Sequence, residues 1–164
     1  MSPGRREQEF RPGSTRRAGF SLIDLTIAVS IIGILAAVAS PRFADLLDHY
    51  RVEASAIRIA GDLNYAARSA GNISRSVTVT FDTASASYSF TNLDDPNHAG
   101  TEWNVSLAES GDALSLHTVD LGGDHSIVFD VNGRPDSSGA ITVVAGAASK
   151  TVVLNGVTGK ATVR

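Results

Sequence analysis

Four histidines, seventeen carboxylates and no cysteine bound the chemistry open to this chain of 164 residues. The densest polar cluster is LDDPNHAGTE, where His98 stands with Asp94, Asp95 and Glu102. Such hard oxygen donors suit Ca²⁺, but Pro96 and Gly100 make a solvated loop the expected reading. Asp130, Asn132 and Asp136 in DVNGRPD lack the spacing of a calcium loop, and a turn accounts for each of them. His117 and His125 fall at strand edges, and no two histidines have zinc spacing. Serine, aspartate and histidine are frequent enough for a triad on paper, yet no GxSxG elbow positions a nucleophile. GVTGK, Gly156 to Lys160, is too short for a phosphate-binding loop. The expectation is a protein without catalysis, cofactor or metal. Lys150, Lys160 and Arg164 form a candidate basic edge near the C-terminus, a small nucleic-acid footprint on an otherwise acidic domain.

One carboxylate is out of place. In RRAGFSLIDLTIAVSIIGILAAVASP, Arg16 to Pro41, every position from Phe20 to Ala39 is apolar or small and weakly polar except Asp24. Twenty residues at about 1.5 Å each span roughly 30 Å, the thickness of a bilayer core. The flank before it, residues 1–19, holds five arginines against two glutamates, whereas the remainder holds nine basic and fifteen acidic groups. A positive flank stays cytoplasmic, so the acidic remainder is expected to be translocated. Absence of cysteine rules out a disulfide framework or thiolate metal site without ruling out export. An ordinary secretory signal ending at Ala37–Ala39 would leave Asp24 unexplained and start the mature chain with proline second. Twin-arginine export fits less well, because Phe20 lies one residue too far from Arg16 and Arg17. A single-pass anchor without assembly role is the plain structural alternative.

The elements around these residues follow from periodicity. Residues 1–18 are rich in Arg, Gly, Pro and Ser and read as a flexible leader. Pro41 removes a backbone donor and is expected to loosen or kink the helix. Beyond it Phe43, Leu46, Leu47, Tyr50, Ala54, Ile57 and Gly61 recur at steps of three and four, predicting an amphipathic helix that packs through this face. The helix is expected to end at SAGN, with Gly71 and Asn72 as capping residues. After Asn72 the period becomes two in eight short segments, from SVTVTF to GKATVR, predicting an antiparallel sheet or small sandwich. VNGR, Val131 to Arg134, is the strongest hairpin signal. Trp103 is expected in the sheet core. The fold class is α+β: one long N-terminal helix, anchor then amphipathic, packed on an antiparallel β-rich head.

GFSLIDLTIAVSIIGILAAVASP resembles the leader junction and first helix of type IV pilins and type II secretion pseudopilins, and Pro41 falls where many pilins carry a proline. IVFDVNGRPDSSGAITV and KTVVLNGVTGKATVR resemble the C-terminal pattern of H-type minor pseudopilins and related pilus-tip minor pilins. The resemblance implies prepilin peptidase cleavage between Gly19 and Phe20, N-methylation of Phe20, and filament assembly through Phe20 and Asp24, which stands where the family has Glu. It implies a cleaved leader at 1–19, a long helix at 20–71 with 20–40 in the bilayer, and a periplasmic head at 72–164. The implied partners are the peptidase, other pilins or pseudopilins meeting the N-terminal helix, an inner-membrane assembly platform and lipid. Its implied function is an H-type minor pseudopilin of type II secretion. The alternatives are a minor pilin of a type IV pilus acting in assembly or DNA uptake, where nucleic acid becomes a partner, and an anchored β domain with no filament role.

Overall fold

A computed structural model describes residues 21–107 and 114–164. The chain divides into two compact units, residues 1–39 and 40–164. Helix α1, Leu22–Ile73, contributes to both. In the first unit all of residues 21–37 are exposed, and apart from Ser21, Asp24, Thr26 and Ser30 all of them are apolar or glycine. Two of the hydroxyls are satisfied within the helix: Thr26 Oγ1 donates to the Ile23 carbonyl at 2.8 Å and Ser30 Oγ to that of Thr26 at 2.7 Å. Among the described residues no single helix is long and apolar enough to cross a membrane, although Leu22–Ala37 and Arg42–Ile73 taken together meet that requirement by length and composition.

The second unit carries eight strands: β1 Val77–Asp82, β2 Ser87–Asp95, β3 His98–Ser106, β4 Ser115–Asp120, β5 Ser126–Phe129, β6 Gly139–Ala145, β7 Ala148–Leu154 and β8 Ala161–Val163. They form two four-stranded antiparallel sheets, ordered β3-β2-β1-β5 and β4-β6-β7-β8. Alternation sends Val77, Val79 and Phe81 of β1, and Ile141, Val143 and Ala145 of β6, into one core shared with α1. Trp103 is buried there, stacked on Phe90 at a centroid distance of 3.9 Å with Tyr65 of α1 edge-on at 5.6 Å.

Two local expectations are corrected. Helix α1 runs through Gly71 and Asn72 to Ile73, and Ser74 takes the left-handed position at φ 52°. The Arg75 amide then donates to the Ala70 carbonyl at 3.3 Å, which closes the helix end without a glycine cap. The VNGR turn forms, but it joins no hairpin between β5 and β6, because these strands lie in different sheets. The Asp130 carboxylate accepts the amides of Asn132 and Arg134, each at 2.8 Å, and the Asp130 carbonyl accepts Gly133 N–H at 2.9 Å. Past an isolated Phe129–Pro135 bridge, the Asp136 carboxylate takes the Val128 amide at 3.3 Å, so a side chain ends the ladder. Pro135 has no amide with which to extend it.

Gly133 is fixed twice, by φ 74° and by its approach to α1, where a Cβ would run into the Ala67 carbonyl oxygen. Gly133→Ala is expected to destabilise the head by about 2–4 kcal/mol in denaturant unfolding; a loss below about 0.5 kcal/mol would show that the turn does not seat as described. A polar joint links helix and sheet where the Tyr88 hydroxyl donates to Asp62 Oδ2 at 2.5 Å, with Arg58 Nε 3.9 Å from the same oxygen. Burial pushes the Asp62 carboxyl above its ordinary value of 3.8, against the hydrogen bond from Tyr88 and the charge of Arg58. The native state therefore holds this proton more tightly than the unfolded chain, and the contribution of Asp62 to stability falls as pH rises through the interval just above 3.8. Asp62→Asn keeps an acceptor for Tyr88 and is expected to flatten the melting temperature against pH in that interval.

Candidate functional site

The residues expected to act in assembly start at the helix N-terminus. Gly19 and Phe20 lie outside the described residues. Asp24 occupies the first turn of α1 and is exposed, with no hydrogen bond or ion pair among the described residues. A carboxylate there is favoured by the partial positive charge of the helix N-terminus, so its position is compatible with the helix whatever else it does. Pro41 falls within α1.

The face expected to pack on the head and on neighbouring helices does not pack on the head. Phe43, Leu46, Tyr50 and Ile57 are 64%, 67%, 74% and 57% exposed. The buried positions are Val52, Ala56, Ile59, Leu63, Ala66 and Ala70, also spaced by three and four. At about 100° per residue the two sets are centred roughly 180° apart on the helix. The second unit thus has a helix with two apolar sides, one closed by the sheets and one open to solvent. The buried side is richer in alanine, which lets backbones approach: Gly133, in the turn after β5, comes against the Ala67 backbone, and Gly159, in the turn after β7, comes in turn against the Gly133 carbonyl.

That junction is held by a residue the sequence reading passed over. Asn64 Nδ2 donates to the Ala161 carbonyl and Asn64 Oδ1 accepts the Ala161 amide, both at 3.0 Å, so one side chain pairs with β8 as a neighbouring strand would. An asparagine on the flank of an otherwise apolar helical repeat was the available signal. Asn155 plays the capping part in the second turn that Asp130 plays in the first, accepting the amides of Val157 and Thr158 at 2.9 Å each.

Of the candidate basic edge, Lys160 and Arg164 are exposed, while Lys150 is half-buried. Thr151 is the backbone partner of Arg164, so alternation puts Lys150 on the opposite side of β7 from Arg164. The Asp94, Asp95, His98 and Glu102 cluster is the β2–β3 hairpin: Asp94 faces Glu102, Asp95 faces His98, and Asp95 Oδ1 accepts the Asn97 amide at 2.8 Å. That amide and His98 hold the Asp95 carboxyl below its ordinary value. Among the described residues no three His, Cys, Asp or Glu side chains converge to hold a metal.

A long helix that begins with an apolar stretch and is closed on one side, further along, by antiparallel sheets defines a pilin-like α+β protein. The fold is similar to the type IV minor pilin FimU of Pseudomonas aeruginosa PAO1, with TM-score 0.53, 12% identity, and 69% of this chain and 87% of that one covered. It is similar too to the minor pseudopilin EpsH from the type 2 secretion system of Vibrio cholerae, with TM-score 0.52, 15% identity, and 70% and 94% covered. In sequence, 33 residues, 20% of this chain, are 61% identical to the type IV narrow pilus major component PilA5 of Thermus thermophilus, and the match covers 28% of that protein. The chain thus spans little more than a quarter of the length of that relative. The sequence model described as type II transport protein GspH matches residues 55–159, more than half of the chain. The chain belongs to this family of pilin-like proteins.

Leu46→Ser or Tyr50→Ser is expected to leave unfolding of the head within about 0.5 kcal/mol, whereas Ile59→Ala is expected to cost about 2–4 kcal/mol. Thermal unfolding of the three variants checks which side of α1 the head uses, and equal losses would overturn the assignment.

Proposed function

We propose that this protein is an H-type minor pseudopilin of a type II secretion system, a structural subunit that joins, and helps to initiate or cap, a periplasmic filament driving protein export. The observation that carries the reading is the GspH match across residues 55–159, which takes in both glycine-bearing turns and the helix segment they seat on. In this reading prepilin peptidase cuts between Gly19 and Phe20, Phe20 is N-methylated, residues 20–40 anchor the chain in the inner membrane, Pro41 loosens the helix, and the head faces the periplasm. Cleavage frees a cationic amine on Phe20. A carboxylate at the depth of Asp24 costs at least a few kcal/mol in hydrocarbon, and the amine of a neighbouring subunit offsets that cost. Pairs of this kind set register more reliably than they add net stability. The stripe from Phe43 to Ile57, exposed in the single chain, is the surface that neighbouring helices and the assembly platform would cover. No step of this role requires catalysis.

A second reading, a minor pilin of a type IV pilus, is favoured by the likeness to FimU and by the short match to PilA5. If that pilus takes up DNA, Lys160 and Arg164 are the candidate contacts, and Lys150 has only a minor share because it lies on the other side of β7. Two phosphate contacts would give a slope of log affinity against log salt of roughly −2.

Deleting the gene and assaying secreted protein separately from pilus-dependent motility and DNA uptake distinguishes the readings: loss of secretion alone supports the first. Intact mass and N-terminal sequencing of the membrane-extracted protein are expected to give a chain beginning at methylated Phe20, and a start at Ser40 would refute both readings. Asp24→Ala is expected to be processed normally yet recovered in filaments several-fold less than wild type, and equal recovery would remove the role given to the carboxylate.

A further inference from the structure

The outward face of the β4-β6-β7-β8 sheet takes no part in the core, in the helix stripe or in the two turns. Its two central strands present Ala140, Thr142 and Val144 from β6, and Ser149, Thr151 and Val153 from β7. These are register partners, Ala140 with Val153, Thr142 with Thr151 and Val144 with Ser149. The Thr142 and Thr151 hydroxyls lie 3.1 Å apart. None of the six carries charge or a long side chain, so the centre of the face is flat. Among the described residues charge stands at its flanks. Asp120, on edge strand β4, is the register partner of Ala140. Arg164, beyond β8, is backbone-paired with Thr151, and Lys160, one residue before β8, is exposed. One flank is acidic, the other basic, and the space between is uncharged.

We propose that this face pairs with the same face of a second copy of the chain. A two-fold axis parallel to the strands and running between β6 and β7 lays β4 of each copy over β8 of the other. Asp120 then meets the Arg164 and Lys160 flank twice, once at each end of the contact, while the small side chains of the centre approach without displacing a long charged one. A two-fold axis across the strands would set Asp120 against Asp120 and Arg164 against Arg164, so charge alone selects the first arrangement. The Asp120 carboxylate is held for this purpose by its own turn, with Oδ1 accepting the Gly123 amide at 3.1 Å. Four strands about 4.8 Å apart, two of them seven residues long and the others six and three, at about 3.3 Å per residue offer roughly 350 Å² per copy. The total of roughly 700 Å² is below the 1,200 Å² or so of stable complexes. The pairing is therefore transient, oriented by charge and populated where copies are crowded.

The described residues and the full sequence contain no cysteine, so Thr142→Cys introduces a unique thiol beside the proposed axis. The full chain in detergent micelles, treated with a short bis-maleimide, is expected to give a covalent dimer. Arg164→Glu in that background should lower the yield about fivefold, the effect of two exposed ion pairs, and adding Asp120→Lys should restore it. Association through the apolar helix stripe would not respond to these charges. Absence of the dimer, a yield indifferent to Arg164→Glu, or failure of the double reversal to restore it would overturn the proposal.

Discussion

Tyr50 and Ile59 stand on opposed sides of one helix, both are members of apolar repeats, and only Ile59 is buried. A helix has one axis and about 100° of turn per residue, so its two repeats cannot both face the same sheets. The head takes the side on which alanine dominates. Fully burying a Leu or Phe side chain contributes roughly 1.5–3 kcal/mol, more than an alanine methyl does. The head thus forgoes area and gains proximity: the turn after β5 comes directly against the helix backbone at Ala67. The larger residues, Phe43, Leu46 and Tyr50, are left to the outside, the arrangement of a subunit whose packing is completed by something beyond its own chain.

Close approach explains why the two glycine-bearing turns are built alike. Each folds around one side-chain oxygen that accepts two backbone amides, that of Asp130 in one and that of Asn155 in the other. The Asp130 carboxyl is held below its ordinary value by those amides, those of Arg134 and Asn132 foremost. Each turn then presents a glycine with positive φ to a neighbouring backbone, Gly133 at 74° to Ala67 of the helix and Gly159 at 68° to the Gly133 carbonyl of the other turn. A left-handed residue touching a neighbouring backbone admits no Cβ, so the local turn and the tertiary contact impose the same residue.

The fold class was legible from period alone. All eight segments with alternating pattern became strands, and Trp103 is in the core. What did not read correctly was which face of the helix serves the head, because the Phe43 repeat carries the larger side chains and size drew the reading to it. Burial depends on what the sheets bring to the helix, and that is long-range information. The VNGR signal was right about the turn and wrong about the pairing, since a turn fixes reversal locally while Pro135 and the Asp136 side chain decide whether a ladder follows. Asn64 was missed because its partner is 97 residues away. Asp24 was singled out from its surroundings alone, and its place in the first helical turn is the one part of that reading on which the structure bears.

The pairing of Asn64 with Ala161 has a mechanical consequence. Its two hydrogen bonds lie side by side between α1 and β8. A force that drew the helix along β8 would strain them together, in shear, before either could release. Peeling β8 sideways would instead load them unevenly. The joint between helix and terminal strand is therefore stiff along β8 and comparatively yielding across it.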